Sequence, residues 1–144
     1  MGKDRTSMFT KTSVEVKYKK EVYVFNALKS LDLSTRNLKD MIDEHTREYY
    51  LWRALRDRVR SELRRKKLEY EVQYNSKFFE ASMQFTNNGI TPSKQMIMGF
   101  IETSIVFPPM RVKIYKLEES LDKLDSVVYA LEHRKQMLYL ASQV

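Results

Sequence analysis

The chain has 144 residues, a formal net charge of +7 and no cysteine. That length fits one domain with a real core. The missing cysteines remove disulfides, thiolate nucleophiles and zinc–sulfur sites, and three glycines with three prolines are too few for a Rossmann sheet, a β-sandwich or a propeller.

There is no secretory h-region and no apolar run near ~18 residues, so a cytoplasmic chain that neither enters the export route nor spans a membrane is expected. The charge is concentrated. Residues 53–67 carry eight basic and two acidic groups, net +6, while 31–52 and 68–90 are each net −2. This is a patch rather than a general basic tint, and it suits an anionic partner, nucleic acid or lipid.

Residues 1–11 read as a loose polar tail. Met1, Gly2 and Thr6 match the myristoylation pattern, against an accidental match in a tail whose Lys3-Asp4-Arg5 makes a poor anchor. Residues 12–144 read as a single helical domain. Within 12–31 the signals conflict: Val14, Val16 and Tyr18 alternate like a strand, while Tyr18, Val22, Phe25 and Leu28 recur at helical spacing. The absence of Gly and Pro favours a first helix here, broken at Asp32–Thr35, with Ser34 as N-cap of the next.

From Thr35 to Phe85 no Gly or Pro occurs. Leu38, Ile42, His45, Tyr49, Trp52, Val59, Leu63 and Tyr70 fall on one seam of 4,3 spacing, interrupted by Arg56 and Lys66. A helix over 35–80 would be about 69 Å long at 1.5 Å per residue, which suggests an extended or assembled helix. Asn87-Asn88-Gly89 breaks it. Thr91 then reads as N-cap and Pro92 as the first helical residue, opening a short apolar helix (Met96, Ile97, Phe100, Ile101, Ile105) that stops before Pro108-Pro109. In the last segment Met110, Ile114, Leu117, Leu121, Leu124, Val128, Leu131 and Leu138 make a coiled-coil-like seam, with Lys135 in its polar slot. Leu117, Leu121, Leu124, Val128 and Leu131 are its core. The expected fold is therefore all-α: two long amphipathic helices packed roughly antiparallel, with shorter helices at the N-terminus and between them. The terminal seam exceeds what one hairpin partner covers, so a homo-oligomer is expected.

Catalysis finds little support. His45 and His133 belong to no metal-binding pattern, and His45 on the apolar seam reads as a packed, hydrogen-bonded histidine. No nucleophile elbow and no phosphate-cradling glycine loop occurs. Glu118, Asp122 and Asp125 read as the solvated flank of a helix. A non-enzyme without cofactor or metal is expected.

The basic window has geometry. At 100° per residue, Arg53, Arg56, Arg60, Arg64 and Lys67 advance by 3, 4, 4 and 3 along one stripe, about 120° from the apolar centre near Leu55 and Val59. Arg58, Arg65 and Lys66 flank it. Tyr49 lies beyond one end; Glu71, Tyr74 and Phe78 lie beyond the other. Cations for phosphates beside aromatic faces for unstacked bases suit single-stranded nucleic acid, with Tyr49, Tyr70, Tyr74 and Phe78 as stacking surfaces. Six of the eight cations are Arg, which favours bidentate phosphate contacts. The competing reading is an Arg-rich face that meets an acidic surface in an assembly, and lipid headgroups are a third.

Arg65-Lys66-Lys67-Leu68-Glu69-Tyr70 resembles the basic–x–basic–Leu–acidic–Tyr element of the UvsY-like phage recombination mediators, which ends a long N-terminal helix. A short helix opening near Thr91–Ser93 and a closing helix with Ala130-Leu131-Glu132-His133-Arg134 resemble the rest of that family over roughly residues 34–142. The resemblance implies a ring-like homo-oligomer that binds single-stranded DNA. Such a protein helps load a RecA-like recombinase onto strands covered by single-stranded-DNA-binding protein in the host cytoplasm. Arg65 and Lys67 match the family's DNA-contacting pair. The arginines from Arg53 to Arg64 and the Val14–Phe25 segment depart from its pattern. The alternative is a helical virion or scaffold component.

Overall fold

The computed structural model describes residues 13–27 and 37–143, and its architecture is mostly α. In chain order the elements are β1 (Ser13–Tyr18), β2 (Glu21–Asn26), α1 (Leu38–Asn87), α2 (Lys94–Glu102) and α3 (Phe107–Ser142). The residues through Arg60 together with those from Glu118 form one compact unit; Ser61–Leu117 form the other. The expected tail at 1–11, its myristoylation match, and Ser34 as a cap lie outside the described residues.

The segment expected to be a first helix is instead an antiparallel hairpin with Val14 opposite Phe25, Val16 opposite Tyr23 and Tyr18 opposite Glu21. The two-residue alternation prevails because Val14, Val16 and Tyr18 are all buried on one face, and β-branched residues suit a pleated, half-buried surface. The turn uses neither Gly nor Pro. Lys19 itself takes a left-handed φ of 57°, so the usual turn signal is missing. Phe25 meets Trp52 of α1 edge-on at 5.8 Å. Ser120 of α3 donates to the Lys17 carbonyl at 2.9 Å, which secures the outer edge of β1.

α1 starts at a side-chain cap: Asn37 Oδ1 accepts from the Lys39 amide at 2.9 Å. Its last turn closes as a Schellman motif. Gly89 sits at φ 76°, its amide donates to Thr86, and the Ile90 amide donates to Phe85 at 2.9 Å. In the first unit α1 runs antiparallel to α3, since Tyr49 pairs with Glu132 and Arg60, further along α1, with the earlier Asp125. Leu55, Val59, Leu124, Val127, Val128 and Leu131 are buried there. Leu124, Val128 and Leu131 are thus packed within the chain itself, while Leu121 is half-buried, as is Leu117 in the second unit.

In the second unit Ala81, Ile97, Ile101 and Phe107 form the core, with Tyr70, Tyr74, Phe78, Phe85 and Met110 packed against it. The expected cap at Thr91 is displaced by two residues. Ser93 is the N-cap and its hydroxyl accepts from the Met96 amide at 3.2 Å, which leaves Pro92 outside the helix. α2 also ends early, at Glu102. Ile105, expected on its apolar face, is 87% exposed. Pro108 and Pro109 stand inside the first turn of α3, where a missing amide leaves no intrahelical bond unmade.

Candidate nucleic-acid interface

The basic window lies on α1, and each unit holds part of it. In the first unit Arg53 is exposed. Its charge acts on Tyr49, whose hydroxyl donates to Glu132 Oε1 at 3.0 Å. Burial and that hydrogen bond hold the Tyr49 hydroxyl above its ordinary pKa. Tyr49 also stacks on His45, so one ring face is engaged. Arg56 is the deepest member of the row, with its side chain only 17% exposed. Its Nε stands 3.5 Å from Asp57 Oδ1 without making a hydrogen bond. Arg60 Nη2 lies 3.5 Å from Asp125 Oδ1 on α3. Arg58 is exposed on the other flank of α1 and acts on the Tyr23 hydroxyl, whose pKa is raised chiefly by its hydrogen bond to Glu21.

In the second unit Arg64 and Lys67 are exposed. Arg65 forks onto both oxygens of Glu62 at 2.8 and 2.7 Å, yet its side chain stays 61% exposed. Exposure along the row is therefore graded. Arg53, Arg64, Arg65 and Lys67 face solvent, Arg60 shares a carboxylate, and Arg56 is largely withdrawn.

The aromatic residues of the expectation are engaged in packing and only partly exposed. Tyr70 and Tyr74 stack on each other at 6.0 Å, and both meet Phe107 edge-on. Arg111 Nε donates to the Tyr70 hydroxyl at 3.0 Å, and Phe78 packs on the same core. The helical phase of the buried face drifts along a helix of 50 residues, because 3.6 residues per turn do not divide the heptad. It carries these three rings from the edge of the stripe against the core, where they are half-buried. The exposed ring beside the cations is Tyr50, at 72%, on the side of α1 away from the packed seam.

The first unit also holds a buried polar cluster. His45 is 5% exposed, and its Nδ1 accepts from Arg134 Nε at 2.8 Å. Arg134 Nη2 reaches Glu48 Oε2 at 3.2 Å. Burial, and secondarily the Arg134 charge, pulls the imidazole down to about 4 from 6.5. His45 is thus neutral near pH 7, with the proton on Nε2, and the Ala130–Arg134 element is part of the packing. Among the described residues no group of three or more His, Asp or Glu is placed to hold a metal, and no helix is long and apolar enough to cross a membrane.

Comparison of the chain with protein-family models, curated protein sequences and solved structures finds no match in any of the three. Sequence reasoning missed Gln73 and Lys77 on α1 and Lys113 on α3, which line clefts in the second unit together with Lys66, a residue placed only on the flank of the stripe. A signal for Lys66, Gln73 and Lys77 existed in their helical spacing of 7 and 4. Lys113 becomes their neighbour only through tertiary packing.

Proposed function

We infer that this is a non-enzymatic, cytoplasmic, single-stranded-DNA-binding protein that acts as a recombination mediator. It helps load a RecA-like recombinase onto strands covered by single-stranded-DNA-binding protein, and it works as a homo-oligomer. One observation carries the reading. After the internal ion pairs are made, Arg53, Arg58, Arg64, Arg65 and Lys67 stay exposed along α1, within a window holding only Asp57 and Glu62 as acids. A helix dense in solvent-facing arginine suits a flexible phosphate chain. The likeness of Arg65–Tyr70 and Ala130–Arg134 to the UvsY-like elements supports the mediator role. Exposed Leu68, Val72 and Phe79 on α1 support self-association.

The Arg60–Asp125 pair favours a second reading, in which the row meets acidic protein surfaces in a structural assembly. Competition separates the two. With a fluorescent oligothymidylate bound, unlabelled oligothymidylate should displace it at a far lower charge concentration than polyglutamate does. The reverse order, or no binding of the oligonucleotide at all, would transfer the protein to the assembly reading.

A further inference from the structure

Two adjoining clefts open on the second unit, of about 330 and 270 Å³, and they share Gln73 and Val106. Three lysines border them: Lys77 in the larger, Lys66 and Lys113 in the smaller. Between the cations lie half-exposed Val106 and half-buried Met110 as apolar surface, with the Gln73 amide and the hydroxyls of Ser76 and Ser104 as hydrogen-bonding groups. One carboxylate, Glu69, also lines the smaller cleft, 3.4 Å from Lys66. Lys77 has Glu80 at 3.5 Å. Both pairs are three residues apart and long, at 3.4 and 3.5 Å; the Lys77 pair is exposed and the Lys66 pair partly buried, and a phosphate competes with each for its lysine.

We propose that this lysine-bordered groove, and not the Tyr70–Tyr74–Phe78 row, seats bases of a single nucleic-acid strand. Lys66 and Lys113 hold a phosphate at one end, and Lys77 holds one at the other. The inference rests on the nucleic-acid reading above and gives that reading a base-accommodating site. Charge complementarity identifies the occupant: three cations face one carboxylate inside the groove. Lys66 and Lys77 are separated by about 16 Å along α1 at 1.5 Å per residue, which is room for more than one nucleotide step. An acidic polypeptide would satisfy the lysines. It would have less use for an apolar floor set between amide and hydroxyl groups, which suits the flat face and polar edge of a base.

The test compares wild type with Lys77→Ala/Lys113→Ala, using fluorescence anisotropy of an oligothymidylate across a salt series. A parallel cross-link uses the same oligonucleotide carrying 5-iodouracil. Both substitutions are at the surface, and a thermal melt checks folding. The groove predicts an affinity loss of about tenfold or more and a log K against log salt slope flatter by about 1.4, two contacts at about 0.7 each for a single strand. The cross-link should fall within residues 104–113 or 73–77. Wild-type binding with an unchanged slope in the double variant and cross-links elsewhere overturns the groove alone. No binding by wild type overturns the nucleic-acid reading itself. If polyglutamate, but not the oligonucleotide, protects Lys77 and Lys113 from acetylation, the groove belongs to an acidic polypeptide and the proposal fails.

Discussion

Replacing Arg134 by Met keeps much of the side-chain volume and deletes the buried guanidinium. In the first unit that guanidinium serves both His45 Nδ1, at 2.8 Å, and Glu48, at 3.2 Å. His45 Nε2 already has no partner, so the variant leaves both ring nitrogens of a buried imidazole unsatisfied. An acceptor left without its donor in a dry site costs about 1–3 kcal/mol, and Glu48 loses a charged partner. Arg134→Met should therefore destabilise by about 2–4 kcal/mol in urea unfolding followed by circular dichroism.

The same cluster sets a pH dependence. The folded His45 pKa lies near 4, below its ordinary 6.5, so the unfolded chain binds more protons between those values. The His45 contribution is complete above about pH 6.5 and is lost as pH falls toward about 4, amounting to about 3 kcal/mol. His45→Gln still offers Arg134 an acceptor but does not titrate, so its stability should fall less steeply over that window. An Arg134→Met protein within about 0.5 kcal/mol of wild type, or a His45→Gln pH profile that superimposes on wild type, would refute this account of the cluster.

Leu124, fully buried in the first unit, should cost about 2–5 kcal/mol as Leu124→Ala in the same unfolding assay. Gly89→Ala meets nothing within 4 Å but keeps a φ of +76°, so backbone strain alone should lower stability by about 1 kcal/mol. Lys19→Gly relieves the left-handed φ of 57° and should raise stability, or hold it level, in a thermal melt. Asp125→Asn releases Arg60 from a carboxylate 3.5 Å away. It should tighten oligothymidylate binding while changing stability by less than about 1 kcal/mol.

The long helices and their antiparallel packing were legible because their signals are periodic. Leu124, Val128 and Leu131 repeat at 4 and 3, and the structure buries all three. The hairpin was not, because its turn rests on a left-handed lysine and because Val14–Phe25 satisfies both periods. The Arg row was legible as positions on a helix, but its chemistry was not. Arg56 and Arg60 follow the same spacing as Arg53 and Arg64, yet Asp57 and Asp125 claim them, and Asp125 becomes a neighbour only through tertiary packing. The packing of Tyr70 and Tyr74 was hidden for a similar reason. A stripe drawn at a fixed 100° shows which side chains share a face, and Phe107, 37 and 33 positions away, decides what covers them.

The salt dependence of oligothymidylate binding tests the central claim most directly. Wild type and Arg53→Ala/Arg64→Ala would be compared, since both side chains are exposed and neither supports a core. The account predicts linear log K against log salt for wild type. The double variant should be weaker, with unchanged melting temperature and a slope flatter by about 1.4. A double variant that binds with wild-type affinity and wild-type slope would contradict it.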